Sequence, residues 1–261
     1  MNRKLSSIAG VTLVEILIGI VISMIMMAAM FTSYQAVNSS YSQVIDRAKI
    51  SQTGRNILGM IVKDIRLAGF RYFDDRSSYP TNYVPILITK STGIGCDKID
   101  IVYSDRRINI SKVIEYNTYK ITYECKASNI VDKITNTKIN AYAIYKSKSK
   151  WSGSNWVAPA NSTDDLVYKD EMIVDHVQDF VLIPIDTKGK IITPIPTTLA
   201  ESQKIRVIDI MLSVRSQNPF FKKNKPFVSY SLGQKSNKNF NDTFLRQEII
   251  VSANTRNLGL N

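Results

Sequence analysis

Charge is what the start of this chain lacks. After Glu15 no Asp, Glu, Lys, Arg or His appears until Asp46, and the 21 residues from Val11 to Phe31 (VTLVEILIGIVISMIMMAAMF) hold Glu15 as their one ionisable side chain. Proline is missing from Thr12 to Gly69, so propensity allows one continuous helix of nearly 60 residues. Histidine is almost absent. His176 is the single one, it falls in a β-type run, and no Ser or Cys motif accompanies it. That argues against acid–base or nucleophilic catalysis and for a structural residue. Gly93-Ile94-Gly95 lacks the third glycine and the following helix of a nucleotide loop. Asp74-Asp75 and Asp164-Asp165 lack the dense alternating oxygen ligands of a calcium loop and read as solvated acids. No enzyme, cofactor or metal site is expected.

What is present at the N-terminus is a short basic leader and a membrane-length apolar run. At 1.5 Å per residue the run from Val11 covers roughly 31 Å, about one hydrocarbon core. Arg3 and Lys4 precede it, and the positive-inside bias therefore places the N-terminus in the cytoplasm and the rest of the chain across the membrane. A cleaved secretory signal would have a shorter apolar core and an Ala-x-Ala site, which Ala28-Ala29-Met30 does not supply. A plain anchor explains length and orientation but leaves Glu15 unexplained, because a carboxylate inside a membrane helix is costly and normally marks function.

The segment Ala9-Gly10-Val11-Thr12-Leu13-Val14-Glu15 resembles the class III signal of type IV prepilins and pseudopilins. The resemblance implies cleavage by a prepilin peptidase between Gly10 and Val11, N-methylation of Val11, and a role for Glu15 in an assembly salt bridge with a neighbouring subunit's N-terminal amine. Val11 departs from the family's usual Phe, and the helix-kinking proline of many major pilins is missing. The implied organisation is a leader at 1–10, a transmembrane and filament-core helix at 11–31, its amphipathic continuation at 32–70 and a periplasmic domain at 71–261.

Beyond the apolar run, Val37, Tyr41, Val44 and Ala48, then Leu58, Ile61, Ile65 and Ala68, follow a helical 3–4 spacing that predicts a stripe packed on the domain. Gly54, within Ser51–Asn56, reads as a soft point of that helix. Strand patterns follow at 98–104, 112–116, 118–124, 139–145, 171–176, 179–185, 204–216, 227–232 and 243–252. Residues 146–165 and 187–203 read as long connections. The expected fold class is α+β, one long N-terminal helix laid on an antiparallel sheet.

Cys96 and Cys125 are the only cysteines, and an exported domain meets an oxidising compartment, so a disulfide is the default expectation. It conflicts with the strand reading. If 98–104, 112–116 and 118–124 form a three-stranded meander, the two cysteines lie at opposite ends of the sheet, too far apart for a bond. Either the meander is broken, by a wide connection at 105–111, or the bond is absent.

The formal charge is +12. Lysines cluster at Lys146, Lys148 and Lys150, at Lys222, Lys223 and Lys225, and at Lys235 and Lys238, among Ser, Asn and Pro. They read as solvated loops, with a basic patch for DNA at Lys222, Lys223 and Lys225 as the sharper alternative.

Further segments narrow the resemblance. Lys63-Asp64-Ile65-Arg66-Leu67-Ala68-Gly69-Phe70 looks like the D-[IV]-R-x-A-G-[FY] helix exit of PilW-type minor pilins, and Asp97–Tyr103, Val174–Phe180, Ile205–Ser216 and Thr255-Arg256-Asn257 follow in that family's order. The resemblance implies a minor pilin that helps prime pilus assembly at the filament tip. Its implied partners are other minor pilins, the major pilin, the peptidase, the inner-membrane assembly platform and membrane lipid before assembly. A minor pseudopilin of type II secretion and a DNA-capturing tip pilin are the alternatives.

Overall fold

The proline-free span folds as one helix, α1 (Leu13–Leu67). The computed structural model describes residues 11–72, 79–80, 83–91, 96–108, 112–131, 136–139, 141–157, 166–230, 232 and 238–258. The chain divides into two compact units at Arg47/Ala48. In the first, the predicted stripe is uncovered: Val37, Tyr41 and Val44 are all exposed. In the second, burial begins at Ile50 and follows Gly54, Ile57, Leu58, Ile61 and Ile65. The packed stripe is therefore the last five turns of α1, not the whole stretch from residue 32.

Those turns lie on an antiparallel sheet built from β1 (Ile86–Thr89), β2 (Lys98–Ile108), β3 (Ile114–Ala127), β4 (Tyr142–Trp151), β5 (Trp156–Val157), β6 (Tyr168–Ile185), β7 (Val207–Arg215) and β10 (Arg246–Asn254). The spatial order is β1-β2-β3-β4-β6-β7-β10, with β5 beside β4. A one-turn helix, α2 (Leu199–Ser202), precedes β7, and β8 (Lys225–Ser229) pairs with β9 (Lys238–Asp242) as a separate ribbon. The period-2 alternation expected of a half-buried strand sets the core face. Ile99 faces Tyr123, Ile101 faces Ile121 and Tyr103 faces Tyr119, and Ile208, Ile210, Leu212 and Val214 extend the same buried surface. The other face of β6 and β7 carries a second, small buried cluster of Val181, Ile183 and Met211, with Ile185 and Leu232 packed against it.

Three sequence expectations are corrected here. The patterns at 112–116 and 118–124 are one strand, β3, so residues 98–124 hold two strands in a hairpin instead of three in a meander, with Ile108 opposite Ile114. The patterns at 171–176 and 179–185 are likewise one strand, β6. It is bent by a bulge where His176 takes φ +60° and the pairing with β7 slips between Val177 and Asp179. Residues 146–151 continue β4 instead of opening a connection, which brings Lys146, Lys148 and Lys150 into the sheet.

Candidate functional site

The start of α1 is fixed by its own side chains. Thr12 and Glu15 form a reciprocal capping box: Glu15 N–H donates to Thr12 Oγ1 (3.3 Å), while Thr12 N–H (2.8 Å) and Oγ1–H (2.9 Å) donate to the Glu15 carboxylate. Such a box satisfies donors that every helix N-terminus leaves unpaired, and here it sets the helix start two residues past the expected cut. Val11 is exposed; Gly10, Arg3 and Lys4 lie outside the described residues. From Leu13 to Phe31 the large apolar side chains are exposed on all sides, and the helix is long and apolar enough to cross a membrane.

At the other end, each residue of the D-I-R-x-A-G-F exit has a physical task. Asp64 Oδ2 accepts from Lys146 Nζ at 2.8 Å and from Tyr123 Oη at 2.5 Å, tying α1 to β3 and β4. The Lys146 ammonium is held above its ordinary value: burial works against it, and the bond and charge of Asp64 outweigh that. Burial and the Asp64 charge push the Tyr123 phenol up. Ile65 and Ala68 are fully buried. The Arg66 carbonyl accepts from Asn257 Nδ2 (2.9 Å), which gives the T-R-N segment its place at the helix end. Thr255 Oγ1 anchors that segment on the carbonyls of Ile205 and Arg206. Gly69 has φ +72°, the left-handed residue that ends many helices. Its N–H then reaches Val102 O, and Ser104 N–H reaches Phe70 O, so the chain leaving α1 runs on along the edge of β2.

Cys96 and Cys125 are bonded, with their Cα atoms 5.6 Å apart. The hairpin explains this: Ile99 pairs with Tyr123, so residues just before β2 lie beside the last turns of β3. Next to the bond sits Asp97, fully buried. Strand β4 covers β6 only as far as Val177, leaving the edge beyond it open. Asp97 fills that gap. Its N–H donates to Phe180 O (2.8 Å), its Oδ2 accepts from Leu182 N–H (2.9 Å), and its ion-pair partner Lys90 (2.9 Å) donates to Leu182 O. A carboxylate and an ammonium thus stand in for a missing strand. Sequence inspection placed Asp97 only as the start of a strand; an acid beside a Cys, ahead of an alternating run, was the available signal.

The lysine clusters part company. Lys146 is in the Asp64 ion pair, and Lys148 is buried with Nζ 4.1 Å from the centre of the Tyr119 ring, so neither belongs to a solvated loop. Lys222, Lys223 and Lys225 are exposed ahead of or at the start of β8, with Lys225 Nζ 4.6 Å from the centre of the Phe221 ring. In the ribbon that follows, Phe227 and Phe240 pair across the strands, and Arg246 lies 4.1 Å from the Phe240 ring while holding Asp242 through two 2.7 Å bonds. Asp74, Asp75, Gly93, Gly95, Asp164, Asp165 and Lys235 lie outside the described residues. Among the described residues no group of acids, His or Cys is arranged to hold a metal ion.

No family model matches the sequence, and no curated protein matches it. Among solved structures, a type IV-like pilin from Thermus thermophilus is similar, with a TM-score of 0.54 and 13% identity, over 80% of this chain and 96% of that one. A long N-terminal helix packed on an antiparallel sheet is the fold of a type IV-like pilin.

Proposed function

We propose that this chain is a minor pilin of a type IV pilus, of the PilW type. It is held in the inner membrane by residues 11–31 until a prepilin peptidase cuts between Gly10 and Val11. The observation that carries this reading is an apolar helical segment, exposed on every side and holding a single carboxylate, on a chain with the pilin fold. Exposed apolar surface of that extent is stable only in lipid or against other helices. A filament core of packed helices supplies the second environment. Glu15 then finds its counter-charge in the Val11 amine of a neighbouring subunit, and the sheet domain, lying periplasmic before assembly, faces outward. The partners in this reading are other minor pilins, the major pilin and the inner-membrane assembly platform.

The test uses the gene in its own host. The reading expects an intact mass beginning at N-methylated Val11, recovery in the sheared-filament fraction, and loss of surface filaments on deletion with secretion intact. Loss of protein secretion with filaments unchanged would assign the chain to a type II secretion pseudopilus instead. Glu15→Gln is expected to lower recovery in filaments about tenfold or more, the scale of a charged pair lost in an apolar setting. Wild-type recovery of that variant would remove the role given to the carboxylate.

A further inference from the structure

One face of the β8–β9 ribbon is turned to the body and the other to solvent. Phe227 and Phe240 pair across the strands on the inner face, which they share with the buried Ser229, and Arg246 lies 4.1 Å from the centre of the Phe240 ring and 5.9 Å from that of Phe227. The alternate residues, Pro226 and Val228 of β8 and Asn239 and Asn241 of β9, are exposed, and with the two phenylalanines they line an open groove of about 340 Å³. Charge around this groove has one sign. Between Asp209 and Asp242 the sequence has no Asp or Glu, and that stretch holds Arg215, Lys222, Lys223, Lys225, Lys235 and Lys238. Asp242 itself is held by Arg246 through two 2.7 Å bonds. We infer that the outer face of the ribbon docks an acidic, extended peptide segment of another protein.

Charge selects an acidic partner. Lys222, Lys223 and Lys225 are exposed, and among the described residues no carboxylate pairs with any of them. The groove selects a peptide. Asn239 and Asn241 stand two residues apart on one strand face, about 7 Å, which is the repeat of alternate residues in an extended chain. Among the described residues neither carboxamide has a hydrogen-bond partner. Each offers a donor and an acceptor, the complement of a peptide group, whereas a phosphate would use only the donor. Val228 and Pro226, on the same face, give an apolar side chain of the segment a place to pack. Single-stranded nucleic acid needs open aromatic faces for stacking. Here Arg246 stands over Phe240, and Lys225 Nζ lies 4.6 Å from the centre of the Phe221 ring. A groove of this size makes a weak contact, sensitive to salt.

The test uses the full-length chain in a non-ionic detergent and a short fluorescent peptide of alternating Glu and Val, read by anisotropy at low salt. An oligothymidylate of the same charge is the comparison probe. Three variants are measured beside the wild type: Lys222→Ser/Lys223→Ser/Lys225→Ser, Asn239→Ala/Asn241→Ala, and the reversal Lys222→Glu/Lys223→Glu/Lys225→Glu, the last also with a peptide of alternating Lys and Val. All five positions are exposed, so each variant is expected to melt with the wild type. A second measurement needs no variant. A zero-length amine–carboxyl reagent should join the acidic peptide to Lys222, Lys223 or Lys225 of the wild type. No step involves filaments, so this inference and the filament reading can fail separately.

The expected results are peptide binding that weakens as salt is raised and a fall of about tenfold or more for the lysine variant, the sum of three exposed ion pairs. The asparagine variant should lose about tenfold, the size of two neutral hydrogen bonds. The reversal should exchange the acidic peptide for the basic one. Tighter binding of the oligothymidylate than of the peptide would assign the lysines to nucleic acid and overturn the inference. Loss with the lysine variant beside wild-type binding by the asparagine variant would reduce it to unspecific charge attraction, which overturns it too. So do absence of peptide binding at low salt and cross-links that fall on other lysines.

Discussion

At the scale of single residues, buried charge is used in this protein for attachment. Asp64 carries the contact between α1 and the sheet, because Lys146 and Tyr123 both end on its carboxylate. Asp64→Ala leaves an ammonium buried without its counter-ion and is expected to cost about 3–5 kcal/mol in urea unfolding of the full-length protein, with Asp64→Asn, which keeps an acceptor for Tyr123, costing less. His176 gives a different signature. Burial pushes its imidazole below the usual value, Asp175 opposes that, and Arg215 reinforces it. The unfolded chain therefore binds a proton at higher pH than the folded one. Stability should be full above the unfolded histidine pKa, near 6.5, and fall as the pH drops from there through the lower folded value. No other histidine shares that window. His176→Asn, which tolerates the positive φ of the bulge, is expected to flatten the pH dependence of the melting temperature between about pH 7.5 and the folded pKa. An unchanged slope would assign the pH dependence to other groups.

At the scale of elements, two glycines of α1 and its exit differ in kind. Gly69 ends the helix at φ +72°, and a Cβ there would lie 2.8 Å from Leu258 Cδ2, so Gly69→Ala is expected to destabilise by about 1–2 kcal/mol. Gly54, read from sequence as a soft point, is a contact: it is buried, and a Cβ on it would lie 2.3 Å from Ile249 Cδ1 of β10. The intrinsic helical gain of alanine, about 1 kcal/mol, is opposed by that clash. Ile249→Val removes the clashing atom. Gly54→Ala should therefore become stabilising when combined with Ile249→Val while showing little gain alone, a coupling that a double-mutant cycle measures. The disulfide joins cysteines 29 residues apart, and replacing both by alanine should cost about 3–4 kcal/mol on the chain-entropy account.

The same elements show what the sequence carried. The length of α1 was legible because no proline interrupts it, and β7 because Ile208, Ile210, Leu212 and Val214 alternate without a break. The β2–β3 hairpin was not, since Asn117 interrupts an otherwise continuous strand and invites a division that the register Asp105–Asn117 denies. Short strands such as β1, β5 and β9 have too few residues to show a period. Of the candidate site, Thr12 and Glu15 fall at the spacing of a capping box, but the convergence of both donors on one oxygen is a matter of rotamers that no pattern states.

At the scale of the molecule, surface and core are distributed unequally between the two units. From residue 11 to residue 44 the chain offers exposed apolar and neutral polar side chains with Glu15 as the one charge, and from Ala48 onward it encloses a single main core. Membrane extraction should follow that division: detergent is expected to be needed for the full chain, and removal of residues 1–47 to abolish that requirement, measured by ultracentrifugal sedimentation. Asp97 has a last consequence for the folded body. Its partners Lys90 and Leu182 stand on opposite sides of it in sequence, the latter 85 residues away. Opening the β1–β3 end strands the carboxylate in a closed β6–β7 end, and opening β6–β7 strands it in an intact hairpin. Neither end gains by melting first, so a polar group that looks like a local repair makes two distant parts of the sheet lose their structure together.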